Sequence, residues 1–216
     1  MSAFRLPAFY PILDTAALER CGLSSTQAAE AVLDAGARII QFRHKEFFSR
    51  EAFEQARAIA ELCRSAGALF VVNDRADFAR LLDAALHLGQ DDLDPNDARK
   101  ILPPPAIVGF STHNRDQLRR AGVYPVDYLA IGPIFATGSK VNPDPVVGLA
   151  ELRALRTVTS KPLVAIGGIT RKNAESVLRA GADSLAIIGD LYPQPLTQAA
   201  LRARAEEWIA ISSSRT

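Results

Sequence analysis

Short apolar runs recur along this chain at a spacing of about 25 residues, each followed by an amphipathic stretch, which is the period of a repeated strand and helix unit. The runs are Phe9 to Leu13, Arg38 to Phe42, Leu69 to Val72, Leu86 to Leu88, Ile107 to Phe110, Tyr128 to Ile131, Leu163 to Ile166 and Ser184 to Ile188. Helical patterns fall between them at Thr26 to Ala35, Ser49 to Ala66, Asp77 to Leu82, Asn114 to Ala121, Gly148 to Val158, Arg171 to Ala180 and Thr197 to Ile211. Parallel strands buried on both faces read as runs of Val, Ile and Leu, as these do. Eight strands close a barrel, so the expected fold is α/β, a single-domain TIM (β/α)8 barrel over residues 1–216. Periodicity alone also fits an open doubly wound sheet.

The chain's 216 residues, 48% of them apolar, suit one such domain. Lys and Arg number 25 against 24 Asp and Glu, a net charge of +1 with no block of like charge, so neither a nucleic acid nor a membrane is expected as partner. Cys21 and Cys63 lack the short spacing of a metal or redox pair and read as ordinary thiols of a reducing compartment. No apolar run reaches the ~18 residues needed to span a bilayer, and the amino terminus lacks a signal-peptide pattern. The expected location is cytoplasmic. Helix faces do not settle assembly, and a homodimer is compatible with them.

A barrel of this kind builds its reactive face from the residues that follow each strand. Here these are Gln41, Arg43 and Lys45; Asn73 and Asp74; Gln90, Asp91 and Asp92; Ser111; Thr137, Ser139 and Lys140; Gly167 and Gly168; and Ile188 and Gly189. Asp74 and Asp92 follow neighbouring strands, and two carboxylates plus substrate phosphates are the usual way Mg²⁺ is held. Arg43, Lys45 and Lys140 offer positive charge to a diphosphate. Gly167, Gly168 and the Ile188-Gly189 turn follow the last two strands, where barrels bind a phosphomonoester through backbone N–H groups. Two phosphorylated ligands are implied.

Structural roles compete at several of these positions. Arg43 and Lys45 alternate along a strand and suit pairing with a carboxylate, while Asp74 in a simple turn would bond Arg75. Asp91 and Asp94 read as solvated or helix-capping groups ahead of Pro95, and His87 as a packed core histidine. His44 and His113 border the proposed site without a second histidine at metal spacing, so zinc is not expected.

Six segments then carry a family resemblance. They are Gln41-Phe42-Arg43-His44-Lys45, Val72-Asn73-Asp74-Arg75, His87-Leu88-Gly89-Gln90-Asp91-Asp92, Gly109-Phe110-Ser111-Thr112-His113, the run Gly132 to Lys140, and Ala165-Ile166-Gly167-Gly168-Ile169. In this order and near this spacing, over Phe9 to about Leu191, the chain resembles the thiamine-phosphate synthase family. The resemblance implies a TIM barrel that joins 4-amino-2-methyl-5-hydroxymethylpyrimidine diphosphate to 4-methyl-5-(2-hydroxyethyl)thiazole phosphate, or its carboxylate, giving thiamine phosphate and pyrophosphate. It implies Mg²⁺ on Asp74 and Asp92, and a reaction in which pyrophosphate departs before the thiazole nitrogen attacks. Gln41, Arg43, Lys45, Asn73, Ser111 and Lys140 would hold the pyrimidine and its diphosphate. On this resemblance Arg43, Lys45, Lys140 and Ser111 would be the catalytic set. Thr137, Ser139, Gly168, Ile188 and Gly189 would hold the thiazole phosphate, beside Gly167.

The chain departs from the family pattern in three places. Phe42 and His44 stand where Leu and Glu are more usual, Gly189 stands where Ser is common, and the first strand is only loosely similar. Two other readings stay open: a related thiazole tautomerase, which needs neither Mg²⁺ nor a diphosphate, and a non-catalytic sensor of phosphorylated thiamine precursors. Asp74, Asp92 and the Thr137 to Lys140 run favour the synthase.

Overall fold

Eight parallel strands close on themselves in the computed structural model, which describes residues 5–138 and 144–213. The strands are β1 (Phe9–Asp14), β2 (Ile39–Arg43), β3 (Leu69–Asn73), β4 (Ala85–Leu88), β5 (Val108–Thr112), β6 (Tyr128–Ile131), β7 (Leu163–Ile166) and β8 (Ser184–Ile187). Each pairs with its neighbour in sequence, and β8 closes on β1 through Phe9 opposite Leu185 and Pro11 opposite Ile187. The expected single-domain (β/α)8 barrel is therefore the observed one, and the open sheet is excluded by that closure.

Among the described residues the helices are α1 (Thr15–Arg20), α2 (Ser25–Asp34), α3 (Arg50–Ala66), α4 (Ala76–Leu81), α5 (Pro95–Ile101), α6 (Arg115–Ala121), α7 (Gly148–Arg156), α8 (Ala174–Arg179) and α9 (Gln198–Ser213). Local chemistry sets their ends. Ser24 and Gln27 form a reciprocal capping box on α2, and Ser49 accepts from Ala52 N at the start of α3. Gly67 ends α3 at φ 63°, where a side chain would be strained. Two helices had no counterpart in the periodic pattern. α1 buries Leu18 alone and α5 only Pro95 and Ala98, so neither displays an apolar helical face in the sequence. Asp14 ends β1 and at once caps α1 through Ala17 N, so no turn signal separates them. Asp94 caps α5 with Pro95 at its first position, as its sequence suggested.

The alternation of each strand divides the apolar residues into two layers. Tyr10, Ile12, Ile39, Val71, Tyr128 and Val164 fill the barrel, while Leu13, Ile40, Phe42, Val72, Leu86 and Leu129 pack outward against the helices. Phe42 is fully buried in the outer layer, so its departure from the family pattern changes packing behind the site and leaves Gln41 and Arg43 facing inward. Trp208 of α9 stacks parallel to Phe9 at 6.1 Å and fastens the last helix to the first strand.

The two ends of the barrel carry different chemistry. At the amino-terminal end of the strands, Asp127 accepts from Val108 N and Arg99, and Asp183 accepts from Leu163 N and Arg156. These are repeated structural braces. Among the described residues no helix is long and apolar enough to cross a membrane.

Candidate active site

The carboxyl ends of the strands open into a cavity of about 1080 Å³. Gln41, Arg43, Lys45, Asn73, Asp74, Asp92, Ser111, Thr137, Gly167, Gly168, Ile188 and Gly189 all line it. Ser139 and Lys140 lie outside the described residues. His113 borders the cavity as expected, whereas His44 does not: it bonds Thr15 Oγ1 and Phe47 O over a separate depression beside α1.

One arc of the wall, from β2 to β4, is made of charged side chains. Arg43 is ion-paired with Asp14, the same carboxylate that caps α1, so the guanidinium is tied to the end of β1. Lys45 Nζ lies 2.5 Å from Asp74 Oδ2, with the lysine side chain 49% exposed and the aspartate 16%. Both cations thus have carboxylate partners, but at the cavity mouth, where an anionic ligand can compete for them. Asp74 does not bond Arg75, which pairs with Asp77 and lies over the rings of Phe48 and Phe78. Asp74 itself adopts φ 66°, rare for a residue with a side chain, with its amide bonded to His87 O at 2.8 Å. Burial pushes its carboxyl up to about pKa 6, the adjoining Asp92 carboxyl adds to the rise, and Lys45 opposes it. Asp92 is anchored through Oδ2, which accepts from Gly89 N at 2.6 Å. Asn73 Nδ2 is buried in this wall without a partner.

The opposite arc, from β6 to β8, is made of backbone. Gly167 and Gly168 have φ 95° and 64°, and a Cβ on them would come within 2.5 Å of Pro133 Cβ and of Ala136 O respectively. Only glycine fits this close approach. Asn173 Nδ2 donates to Gly168 O at 3.1 Å and steadies the turn. Gly189 starts a single 3₁₀ turn, Gly189–Leu191, whose Asp190 also lines the cavity. Asp190 is neutralised by Arg171 at 2.9 Å, and Arg171 is in turn ion-paired with Glu207 of α9.

The floor between the arcs is polar. Tyr10, Gln41, Tyr128, His87 and Ser111 are linked by hydrogen bonds of 2.9 to 3.0 Å. His87 is buried, as its sequence context suggested, and burial lowers it to about pKa 4, against the pull of Asp92. Sequence reasoning left out Asp14, Tyr10 and Tyr128. Asp14 at the last position of β1 and the inward Tyr pair are recognisable only once the strands are in register.

The model of the thiamine monophosphate synthase family matches residues 9–191. A thiamine-phosphate synthase from Koribacter versatilis is 47% identical over 216 residues, covering 99% of each chain, and one from Moorella thermoacetica is 44% identical over 186 residues, covering 86% of this chain and 89% of that one. A solved structure of thiamine phosphate pyrophosphorylase from Pyrococcus furiosus superimposes with TM-score 0.81 at 31% identity, covering 95% of each chain. The chain therefore belongs to the thiamine monophosphate synthase family and is an enzyme that transfers a group.

Proposed function

We propose that the protein joins 4-amino-2-methyl-5-hydroxymethylpyrimidine diphosphate to 4-methyl-5-(2-hydroxyethyl)thiazole phosphate, or its carboxylate, yielding thiamine phosphate and pyrophosphate. The observation that carries this reading is the pairing, in one cavity, of a charged arc suited to a diphosphate with a backbone arc suited to a phosphomonoester. The synthases from Koribacter versatilis and Moorella thermoacetica supply the reaction class.

Charge develops on the leaving pyrophosphate, and the residues of the charged arc oppose it. Arg43 is held by Asp14 in a fixed pose and offers its remaining N–H groups. Lys45, half exposed on a flexible stem, can exchange Asp74 for a diphosphate oxygen. Asn73, with its buried amide unpaired, and Gln41 present polar groups to the pyrimidine diphosphate. Departure of pyrophosphate before attack by the thiazole nitrogen suits such a wall, because stabilising the leaving group is the main work required. The amides around Gly168 and Gly189 would hold the thiazole phosphate, with Thr137 at the rim. Gly189 in place of the family's usual Ser leaves that end of the site to the backbone. Lys140 and Ser139 belong to the same reading from sequence.

Asp74 and Asp92 fit Mg²⁺: both are hard oxygen donors, and burial and mutual proximity already lift Asp74, as expected of a pair suited to a cation. When bound, Mg²⁺ would neutralise charge on the pyrophosphate. A thiazole tautomerase has no use for this acidic pair. The test is turnover of the purified protein with both substrates and Mg²⁺, read as thiamine phosphate formed. Product that disappears with EDTA supports the proposal, and binding of both substrates without product overturns it.

A further inference from the structure

Five side chains from five strands form one line of hydrogen bonds across the barrel, beneath the cavity. Gln41 Nε2 donates to Tyr10 Oη at 3.0 Å, and Tyr10 Oη lies 2.9 Å from Tyr128 Oη. Tyr128 Oη is 3.0 Å from His87 Nδ1, and His87 Nε2 is 2.9 Å from Ser111 Oγ. The link between His87 and Tyr128 exists because β5 lacks a side chain between them. Gly109 is in register with both, and a Cβ there would lie 2.1 Å from Tyr128 Cζ and 2.5 Å from its hydroxyl. The phenol crosses bare backbone to reach the imidazole.

Counting protons orders the line. Each hydroxyl carries one proton, and a neutral imidazole carries one N–H. If Gln41 donates to Tyr10, Tyr10 can donate to Tyr128, Tyr128 to His87 Nδ1, and His87 Nε2–H to Ser111. Every deeply buried proton is then used, and the one left over belongs to Ser111, which is half-buried and faces the cavity. With Gln41 presenting Nε2 to Tyr10, the reverse order would leave the spare proton on Tyr10, which is 1% exposed, and a buried unpaired donor is costly.

We propose that His87 is a positioning residue, fixed as the Nε2–H tautomer by Tyr128, and that it commits Ser111 to donate its hydroxyl proton into the cavity. The hydroxyl proton is matched there by an acceptor, such as an ionised phosphate oxygen or an unprotonated ring nitrogen. The tautomer follows from Gln41 donating to Tyr10, while its effect on turnover rests on the proposed reaction.

The first test is ¹⁵N NMR of histidine-labelled resting protein. The sequence has three histidines, and the His87 signals are those lost in His87→Asn. A pyrrole-type shift at Nε2 with a pyridine-type shift at Nδ1 is expected; the opposite tautomer, or an imidazolium at neutral pH, overturns the inference whatever the protein catalyses. The second test is kinetic. Tyr128 does not line the cavity. Tyr128→Phe should lower kcat/KM for the pyrimidine diphosphate about tenfold, the scale of one misdirected hydrogen bond, with KM for the thiazole phosphate unchanged. Adding Tyr128→Phe to Ser111→Ala should cost little more, and full additivity overturns the coupling. Should Tyr128→Phe fail to fold, the NMR assignment on the unaltered chain still decides the tautomer.

Discussion

The two arcs of the cavity are built by opposite means. From β2 to β4 the wall uses Arg43, Lys45 and the Asp74–Asp92 pair, so its charge lies in side chains that can move, exchange partners and titrate. From β6 to β8 it uses backbone at Gly167, Gly168 and Gly189, and at the first two a Cβ would collide with the Pro133 to Ala136 segment. A side-chain arc can follow changing charge during a reaction. A backbone arc cannot, and suits a group that stays bound while chemistry happens elsewhere. In the proposed reaction the leaving diphosphate belongs to the first arc and the unreactive phosphate to the second.

The comparison can be broken first at Asp74. Asp74→Asn keeps the shape and removes a charge at the proposed Mg²⁺ position, so kcat should fall by on the order of 10³-fold. Without metal, the melting temperature at neutral pH should rise, because the carboxylate removed is one whose burial favours its protonated form, and steady-state kinetics beside a melting curve checks both. The corresponding attack on the other arc is Gly168→Ala, which forces a Cβ toward Ala136 O and Phe135 at φ 64°. Here the expected cost is structural, about 2–3 kcal/mol of stability by urea denaturation, with weakened thiazole phosphate binding.

The acid dependence of stability separates the charged arc from the floor beneath it. His87 has its pKa depressed to about 4 by burial, so its contribution is complete above the unfolded value near 6.5 and is lost as pH falls toward 4. That is up to about 3 kcal/mol. Asp74 acts in the opposite sense without metal: raised to about 6, its carboxyl favours the protonated folded state, and stability declines as pH rises from about 4 to 6. Metal-free Asp74→Asn should therefore gain stability with pH more steeply than the unaltered protein across this range. Urea midpoints in EDTA measure it; parallel slopes would mean that the Asp74 environment is wrongly described. The smallest effect is expected for Arg171→Ala, which leaves the Asp190 carboxylate unneutralised beside the backbone arc. KM for the thiazole phosphate should rise about fivefold, the scale of roughly 1 kcal/mol, with that for the pyrimidine diphosphate unchanged.

How much was legible in the sequence follows the same division. The eight strands were readable because burial on both faces leaves apolar runs, whereas α1 and α5 were not, because they bury too few apolar residues to mark a helical face. The charged arc was readable from residue type at strand ends, and the backbone arc from glycine pairs in the same places. Neither Asp14 as partner of Arg43 nor the Tyr10–Tyr128–His87 line was readable. Both depend on how distant strands register, and the second also on a side chain that Gly109 does not have. His44 looked adjacent to the site because it alternates with Arg43 and Lys45, yet that alternation turns it outward, where it stacks against Phe42.

The central claim is that the two anions are held by different arcs, and crossed calorimetry tests it directly. Pyrophosphate with Mg²⁺, and separately the thiazole phosphate, would be titrated into the unaltered protein, Asp74→Asn and Gly168→Ala. Asp74→Asn should lose pyrophosphate binding and keep the thiazole phosphate, and Gly168→Ala should do the reverse. Folded variants that both lose the same ligand, or lose both ligands equally, would contradict the division.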